Sequence, residues 1–296
     1  MGDRVPLLKP SAGALQHGGD LFLAASSFLR RAVPGVAADE PQDDPASLIA
    51  GARATALLLR ELPRIRVRLS DSPAGLRLRQ HFGDRKWGIR HSRIAQGVLA
   101  LPEEPGEYLR GRSRQALRTN IRKARAAGVT CRQLDHIDER RAAAFQLRAR
   151  VPGMWEWSDE LFSSPEDIWW VGRTPRGEIE ALAHATVDRD WALLRSLASS
   201  DRPSRYLLHA ALVDVLVASG VRYLAVDGPM APLLEPSLQY WQRLLGFEVV
   251  HLSVSREPLV RGTEPRSVLP ELDVSSDRVV AQPAEGLPDA IGAPSP

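Results

Sequence analysis

The chain has 296 residues, 44% hydrophobic and 25% charged, which is enough to bury the core of one large or two small globular domains. Its single cysteine, Cys131, excludes an internal disulfide framework and a cysteine-based metal site. No stretch reaches the ~20 apolar residues of a membrane-spanning helix and the N-terminus lacks a secretion-signal pattern, so we expect a cytoplasmic protein without a membrane span.

Charge is distributed unevenly along the chain, although the formal net charge is only +3. Residues 1–128 carry 22 Lys and Arg against 12 Asp and Glu, whereas residues 129–296 carry 17 against 24. The basic first half therefore favours contact with an anionic partner. Residues 1–20 and 256–296 show no sustained hydrophobic period, and we predict that both ends are mostly disordered.

Hydrophobic periodicity in the first half of the chain predicts alternating helices and strands, followed by one long basic helix. The predicted helices are residues 46–61, 76–83 and 108–128, and the predicted strands are residues 65–69, 87–94 and 98–101.

The second half alternates in the same way and has clear boundary residues, such as Pro203 at a helix start and Gly220 at its end. The predicted strands are residues 129–134, 168–172, 179–187, 191–199, 222–227 and 248–252. The predicted helices are residues 139–150, 206–218 and 239–245, and the Trp-rich residues 154–167 are a further helix or a substrate loop. This pattern predicts an α/β fold with a mixed central sheet flanked by helices.

The order strand, helix, strand, helix, strand across residues 192–253, with Gly246-Phe247 closing the last helix, resembles the C-terminal half of the GNAT (GCN5-related N-acyltransferase) fold. The basic residues 113–129 are similar to the segment that precedes the first strand in Fem-type tandem GNAT proteins. This resemblance implies a GNAT-like acyltransferase domain at residues 129–255, a degenerate GNAT-like half at residues 21–103 and a basic connecting helix at residues 104–128.

In a GNAT site, the thioester of acetyl-CoA or another acyl-CoA lies where two parallel strands separate, and the pyrophosphate rests on the next helix N-terminus. The resemblance places cofactor contacts at Leu197, Ala198, Ser199, Arg202, Ser204, Arg205 and Tyr206. The family pattern Arg/Gln-x-x-Gly-x-Gly/Ala has Arg205 and Leu207 in place of its small residues. Either Arg205 contacts phosphate, or coenzyme A is not bound in the usual way, or the turn is an ordinary capped helix with exposed arginines.

The candidate bases are Asp227, at the end of a strand where ligands of open α/β sheets gather, and then His184, on the polar face of a hairpin strand. Each also has a structural interpretation, as a turn residue and as a buried strand histidine. Many GNAT enzymes carry a Tyr that can protonate the departing thiolate, four residues before the Gly of Gly-Phe. This chain has Gln242 at that position. Tyr240 is about 200° away round a helix, so a partly buried aromatic is the better interpretation of it than a catalytic acid.

Two further groups of residues suggest substrate contacts. Trp155, Trp157 and Trp170 fit an aromatic acceptor pocket, although packing in the core explains them better. Arg114, Arg118, Arg122 and Arg125 fall on one face of the predicted basic helix and suit tRNA, anionic lipid or the cofactor nucleotide, or form a solvated surface.

Taken with the resemblance, these residues predict direct transfer of an acyl group from acyl-CoA to the amine of a small molecule or peptide, without a metal. The alternatives are a Fem-type transferase that uses aminoacyl-tRNA and a catalytically inactive GNAT-like binding module. Cys131 lies on the first predicted strand, outside the cofactor slot, and is not a candidate nucleophile.

Overall fold

A computed structural model describes residues 45–83, 85–86, 89–90, 96–151, 154, 157–227, 241 and 244–256. The helices are α1 (Pro45–Glu61), α2 (Pro73–Gly83), α3 (Gln115–Ala126), α4 (Ile137–Arg150), α5 (Asp159–Ser163) and α6 (Arg202–Ala218). The strands are β1 (Arg64–Leu69), β2 (Arg85–Lys86), β3 (Ile89–Arg90), β4 (Gln96–Ala100), β5 (Thr130–Gln133), β6 (Asp167–Arg173), β7 (Ile179–Asp188), β8 (Trp191–Ser199), β9 (Tyr223–Val226) and β10 (Glu248–Arg256).

One mixed eight-stranded sheet organises these elements, in the order β1-β10-β4-β9-β8-β7-β6-β5. Strands β5 to β8 form an antiparallel meander, and α6 then crosses to β9, which lies parallel to β8. Strand β4 is antiparallel to both β9 and β10, while β1 is parallel to β10. The predicted α/β fold with a mixed sheet between helices is confirmed.

Strands β1 and β4 come from the N-terminal half, yet they belong to the same sheet as the strands of residues 129–256. The boundary predicted after residue 103 therefore falls between elements of one sheet. The interpretation of residues 21–103 as a degenerate GNAT-like half stays a prediction, because β1 and β4 do not form a sheet of their own among the described residues.

The helices cover both faces of the sheet, as two neighbouring tryptophans of β6 demonstrate. Trp170 packs in a core with Leu117 of α3 and Leu208 of α6, whereas Trp169 packs with Leu147 of α4 and Phe162 of α5. Because successive strand residues point to opposite faces, α3 and α6 lie on one side of the sheet and α4 and α5 on the other. None of the helices within the described ranges is long and apolar enough to cross a membrane.

The predicted basic helix starts later than expected, at Gln115 instead of residue 108. Two 3-10 turns, Glu107–Leu109 and Arg112–Arg114, precede it. Gly111 between them has φ 90° and ψ 162°, a conformation open mainly to glycine and incompatible with a helix. The basic residues therefore divide between a loop and a helix of 12 residues.

Candidate functional site

Strand β8 is longer than its parallel partner β9, and this difference creates the main candidate site. The two strands pair from Trp191 opposite Tyr223 to Leu194 opposite Val226. The N–H of Asp227 then donates to the Leu194 carbonyl at 2.8 Å. On its other side β8 stays paired with β7 as far as Ser199. Residues 195–199 thus extend beyond the last β9 partner, and the predicted residues Leu197, Ala198 and Ser199 lie in this extension.

A β-bulge marks the point where this extension begins. His184 of β7 lies opposite Ser196, but the next residue, Ala185, lies opposite Leu194, so Arg195 is the extra residue on β8. Bulges of this kind redirect side chains and often lie beside active sites. The Arg195 Nε lies 3.2 Å from Asp227 Oδ2 and joins the bulge to the end of β9.

Asp227, the first candidate base, lies at the end of β9, where the sequence predicted it. Its carboxylate meets Arg195 on one side, and its Oδ1 lies 3.8 Å from the Nε2 of His81, in the last turn of α2. The side chain is 35% exposed. A carboxylate with this exposure and a cationic neighbour stays available to a polar ligand at the edge of β8, which no described strand pairs beyond Leu194.

The N-terminus of α6 follows β8 directly and is capped by Asp201. The Asp201 carboxylate accepts the Ser204 N–H at 2.8 Å, and the Ser199 hydroxyl donates to the Asp201 carbonyl. The Nε of Arg205 donates to the Ser199 hydroxyl at 3.0 Å, while Arg202 is exposed. A carboxylate therefore already occupies the helix end at which the resemblance places a pyrophosphate.

Within this turn, the predicted cofactor residues divide by burial. Arg202 is exposed and Arg205 is half-buried, whereas Ser199, Ser204 and Tyr206 are buried, the last in the core beneath α6. A capped helix was one of the interpretations of this turn, but the sequence analysis did not identify Asp201 as the capping residue. The signal for it was Asp201 two residues before Pro203, since Asp is a preferred N-cap and Pro is favoured in the first helical turn.

His184, the second candidate base, is buried and held in a polar pair. Its Nε2 lies 2.9 Å from Oδ2 of Asp167, and its ring stacks on Trp169 with 4.2 Å between ring centroids. The other oxygen of Asp167 accepts from the Thr186 hydroxyl at 2.7 Å and from Arg77 of α2 at 3.2 Å. The Asp167 carboxylate thus has three polar contacts, although the residue is only 2% exposed.

The protonation of this pair follows from its surroundings. Burial lowers the pKa of His184 below its ordinary value, and the hydrogen bond and negative charge of Asp167 oppose this effect only in part. Burial acts to raise the pKa of Asp167, but the contacts with His184, Thr186 and Arg77 outweigh it and the pKa lies below its usual range. The pair is therefore a neutral imidazole, with its proton on Nε2, beside an ionised carboxylate.

Sequence reasoning missed Asp167, because the strand was predicted to begin at Ile168. The hairpin pairs Asp167 with Thr186 and Trp169 with His184. Extending the alternation of β6 by one residue would have placed Asp167 on the face that carries His184.

Neither a protein-family model nor a curated protein sequence matches the chain. Three solved structures resemble parts of it. The C-terminal domain of a putative lysylphosphatidylglycerol synthetase from Agrobacterium fabrum is 16% identical over 52% of this chain and 57% of its own, with a TM-score of 0.40. FemX is 9% identical over 53% and 59%, with a TM-score of 0.43. The ribosomal-protein-S18-alanine N-acetyltransferase from Escherichia coli is 23% identical over 40% and 77%, with a TM-score of 0.34.

This chain therefore spans less than two thirds of the length of the first two of these proteins. The α6 crossover and the parallel pair of β8 and β9, which separate where β9 ends, are features that the sequence resemblance predicted. The chain has a GNAT-like fold.

The predicted acceptor residues of this GNAT-like fold do not form one group. Trp157 packs against Phe162 and Trp169, whereas Trp170 is buried on the opposite face of the sheet. Trp155 lies outside the described residues, as does Tyr240, the third catalytic candidate. An acceptor pocket built from these tryptophans stays a prediction.

The four arginines predicted on one face of the basic helix also do not act as one group. Arg114 donates to the Leu244 carbonyl and lies over the Tyr108 ring, and Arg118 donates to the carbonyls of Leu109 and Gly111. These two guanidinium groups hold the loop before α3. Arg122 and Arg125 are exposed, and with them the prediction of an anionic partner remains. No group of three or more metal-binding side chains occurs within the described ranges.

Proposed function

We propose that the protein is a GNAT-type transferase that moves an acyl group from acetyl-CoA or another acyl-CoA to the amine of a small molecule or peptide. The observation that carries this proposal is the five-residue extension of β8 beyond its last β9 partner. An extended amide chain, such as the pantetheine arm, can pair with an open strand edge through main-chain hydrogen bonds. The same edge leads directly to α6, where the nucleotide end would lie.

The transfer is direct in this proposal. The amine nitrogen attacks the thioester carbon, the C–S bond breaks and the thiolate leaves, while a base accepts the amine proton. Main-chain N–H groups near Leu197 and Ala198 polarise the thioester carbonyl, and catalysis comes mainly from positioning. Burial raises the pKa of the Cys131 thiol to about 12, which keeps it protonated and leaves it a poor nucleophile.

The nucleotide end of the donor would meet Arg202 and Arg205. Arg202 is exposed beside the helix end, and Arg205 reaches back to Ser199 at the tip of β8. Guanidinium groups bind phosphate oxygens through charge-assisted hydrogen bonds, which can replace the usual glycine-rich turn.

A second candidate is a Fem-type transferase that uses aminoacyl-tRNA, and the cap of α6 is the observation that favours it. Asp201 occupies the Ser204 N–H and brings a negative charge to the place where a diphosphate would lie. The exposed residues Arg122, Lys123 and Arg125 offer phosphate contacts elsewhere.

Thermal melting with coenzyme A, acetyl-CoA and longer acyl-CoA forms tests the proposal. A ligand at ~100 times its Kd stabilises the folded state by about 2.7 kcal/mol, which a melting curve detects. Arg202→Ala and Arg205→Ala should reduce the shift, whereas Arg176→Ala, an exposed arginine of the β6–β7 turn, should not. If no form shifts the melting temperature, acyl-CoA is not the donor. Salt-dependent tRNA binding would then support the second candidate, and its absence would support an inactive binding module.

A further inference from the structure

We propose that Ser196, His184 and Asp167 form the proton-accepting relay of the acyl transfer, an inference that rests on the proposed function. In this relay Ser196 contacts the acceptor amine, Nδ1 of His184 receives its proton, and Asp167 is a positioning residue that fixes the imidazole.

The first observation is the pairing of β7 with β8. His184 and Ser196 are directly opposite each other in the antiparallel ladder, on the last paired position before the bulge. Residues in such positions have Cβ atoms ~4.5–5.5 Å apart and share one face of the sheet. The two side chains are therefore neighbours on the face that also carries Asp167 and Trp169.

The second observation concerns hydrogen bonds that the protein leaves unmade. Nδ1 of His184 and Oγ of Ser196 are both buried, and neither has a hydrogen-bond partner among the described residues. Buried polar atoms are nearly always paired, and exceptions often mark a bound water, a ligand or a catalytic group. Because Asp167 holds the proton on Nε2, Nδ1 presents a lone pair, so the two atoms together offer an acceptor and a hydroxyl to a small polar group.

The third observation is the position of Ser196 relative to the donor slot. It is the second residue after Leu194, the last residue of β8 that pairs with β9. Ser196 therefore lies where β8 and β9 separate, which is where the proposed thioester lies. Asp227, on the other side of the opening, is held by Arg195 and does not contact the relay in any described hydrogen bond.

The chemical step follows from this placement. The amine lone pair forms the C–N bond at the thioester carbon, and the electron pair of the breaking C–S bond leaves with the thiolate. The amine proton passes to Nδ1 of His184 while the Ser196 hydroxyl contacts the amine, and Asp167 stabilises the imidazolium. Burial, and to a smaller extent the positive charges of Arg195 and Arg77, lower the pKa of His184, so the proton is readily returned to the thiolate or to water.

Variants at the three positions test the relay with two readouts, thiol release from acetyl-CoA in the presence of excess benzylamine and the acetyl-CoA melting shift. His184→Gln and Asp167→Asn should lower thiol release ~100-fold or more, the range of general acid–base catalysis, and Ser196→Ala should lower it to a smaller extent. All three should keep the melting shift. His136→Gln and Ser163→Ala, at exposed positions, are matched controls that should keep both.

The imidazole tautomer, read by ¹⁵N NMR of histidine-labelled protein, gives a readout that a packing role would not change. Wild-type His184 should carry its proton on Nε2. In Asp167→Asn, Arg77 and Thr186 keep the amide oxygen on their side, so the NH₂ faces Nε2 and moves the proton to Nδ1. A wild-type proton on Nδ1 overturns the relay whatever the activity.

The remaining outcomes separate the relay from the proposed function. Full thiol release in His184→Gln and Asp167→Asn, with the melting shift kept, overturns the relay and leaves the acyl-CoA transferase standing. If wild-type protein shows neither a melting shift nor thiol release, the proposed function fails and the relay fails with it.

Discussion

Asp188, the last residue of β7, accepts hydrogen bonds from the main-chain N–H of Ser70 at 2.8 Å and from its hydroxyl at 2.5 Å. The Ser72 hydroxyl donates to the same carboxylate at 3.0 Å, and Ser72 in turn accepts the N–H of Gly75 in the first turn of α2. A Cβ at Gly75 would collide with the Ser70 carbonyl and lie 2.8 Å from Asp188. One buried carboxylate thus fixes α2 against the sheet, and α2 supplies Arg77 to the His184 pair.

Asp188→Ala should lower the free energy of unfolding by ~2–4 kcal/mol, because it leaves a main-chain N–H and two hydroxyls without their charged acceptor. Urea denaturation measures the change. Asp138→Ala, at a carboxylate with 91% side-chain exposure, is the control and should change stability little. Equal effects of the two substitutions would contradict the anchoring role of Asp188.

Arg140 of α4 supports the other end of the same sheet face. Its buried guanidinium donates to the carbonyls of Leu134, Phe162 and Ser164, all at 3.0 Å. Arg140→Met keeps much of the apolar stem but leaves three carbonyls unpaired, so we expect a loss of ~2–4 kcal/mol in urea denaturation.

Arg141→Met is the matched control for this prediction. The neighbouring Arg141 is exposed and, within the described residues, pairs with the exposed carboxylates of Asp138 and Asp159, and such surface pairs contribute ~0–1 kcal/mol. A larger loss of stability for Arg141→Met than for Arg140→Met would show that the three buried hydrogen bonds of Arg140 do not stabilise the fold.

Most elements could be predicted from the sequence because their signals are local. Alternation over residues 179–187 and the boundary residues Pro203 and Gly220 predict β7 and α6 within a few positions. The insertion of β4 between β9 and β10 could not be predicted, because strand pairing across more than 100 residues leaves no local pattern.

The candidate site was predictable to a similar degree. The positions of Asp227 and the open β8 edge follow from strand order, which the sequence indicates. Hydrogen bonds between distant residues do not, and the partners of Asp227 and His184, namely Arg195, Asp167 and Arg77, appear only in the folded chain. Arg118 likewise has the pattern of a solvated helix residue, yet it binds two carbonyls of the preceding loop.

Gly246, which closes the last predicted helix, is favoured for two separate reasons. Its φ of +82° lies in the left-handed region, and a Cβ there would collide with the Arg114 guanidinium that binds the Leu244 carbonyl. Gly246→Ala should therefore destabilise by more than the ~1–2 kcal/mol of the left-handed conformation alone. Chemical denaturation of Gly246→Ala, Arg114→Ala and the double variant measures by how much the loss of stability exceeds the cost of the backbone conformation.

Gly177→Ala is the reference for the backbone effect, since Gly177 has φ +81° and open space where its Cβ would be. Gly246→Ala should lower the free energy of unfolding by more than Gly177→Ala does. This difference should be smaller when residue 114 is already Ala, because the guanidinium that collides with the Cβ is absent. An excess that persists in the double variant would mean that the collision is not its cause.

His209 of α6 should make stability depend on pH. The residue is 0% exposed, and burial lowers its pKa from 6.5 to about 3. Below pH 6.5 the unfolded chain binds a proton at this imidazole that the folded chain does not bind until the pH approaches 3. The free energy of unfolding therefore falls with decreasing pH in this window, by up to ~1.4 kcal/mol per unit.

His209→Phe, which keeps an aromatic ring beside Tyr108 and Phe247, should flatten the dependence. Urea denaturation of both proteins at pH 7 and pH 5 gives the comparison, and the decrease should be smaller in the variant by up to ~2 kcal/mol. His184, whose pKa is also lowered mainly by burial, contributes in the same direction and remains in both proteins. Identical decreases would show that His209 takes up its proton in the folded state.

Asp201→Ser tests whether phosphate and the α6 cap compete. Serine is also a good N-cap and can accept the Ser204 N–H, so the helix start is retained while the negative charge is removed. If the CoA diphosphate lies at this helix end, affinity measured by calorimetry should rise about 2- to 5-fold, the effect of one charge near a helix terminus of ~0.3–1 kcal/mol. Asp138→Ser, in the first turn of α4, should leave affinity unchanged. Because the cap is adjacent to Ser199 and Arg205, unchanged or weaker binding in Asp201→Ser would place the diphosphate elsewhere and remove both residues from the donor site.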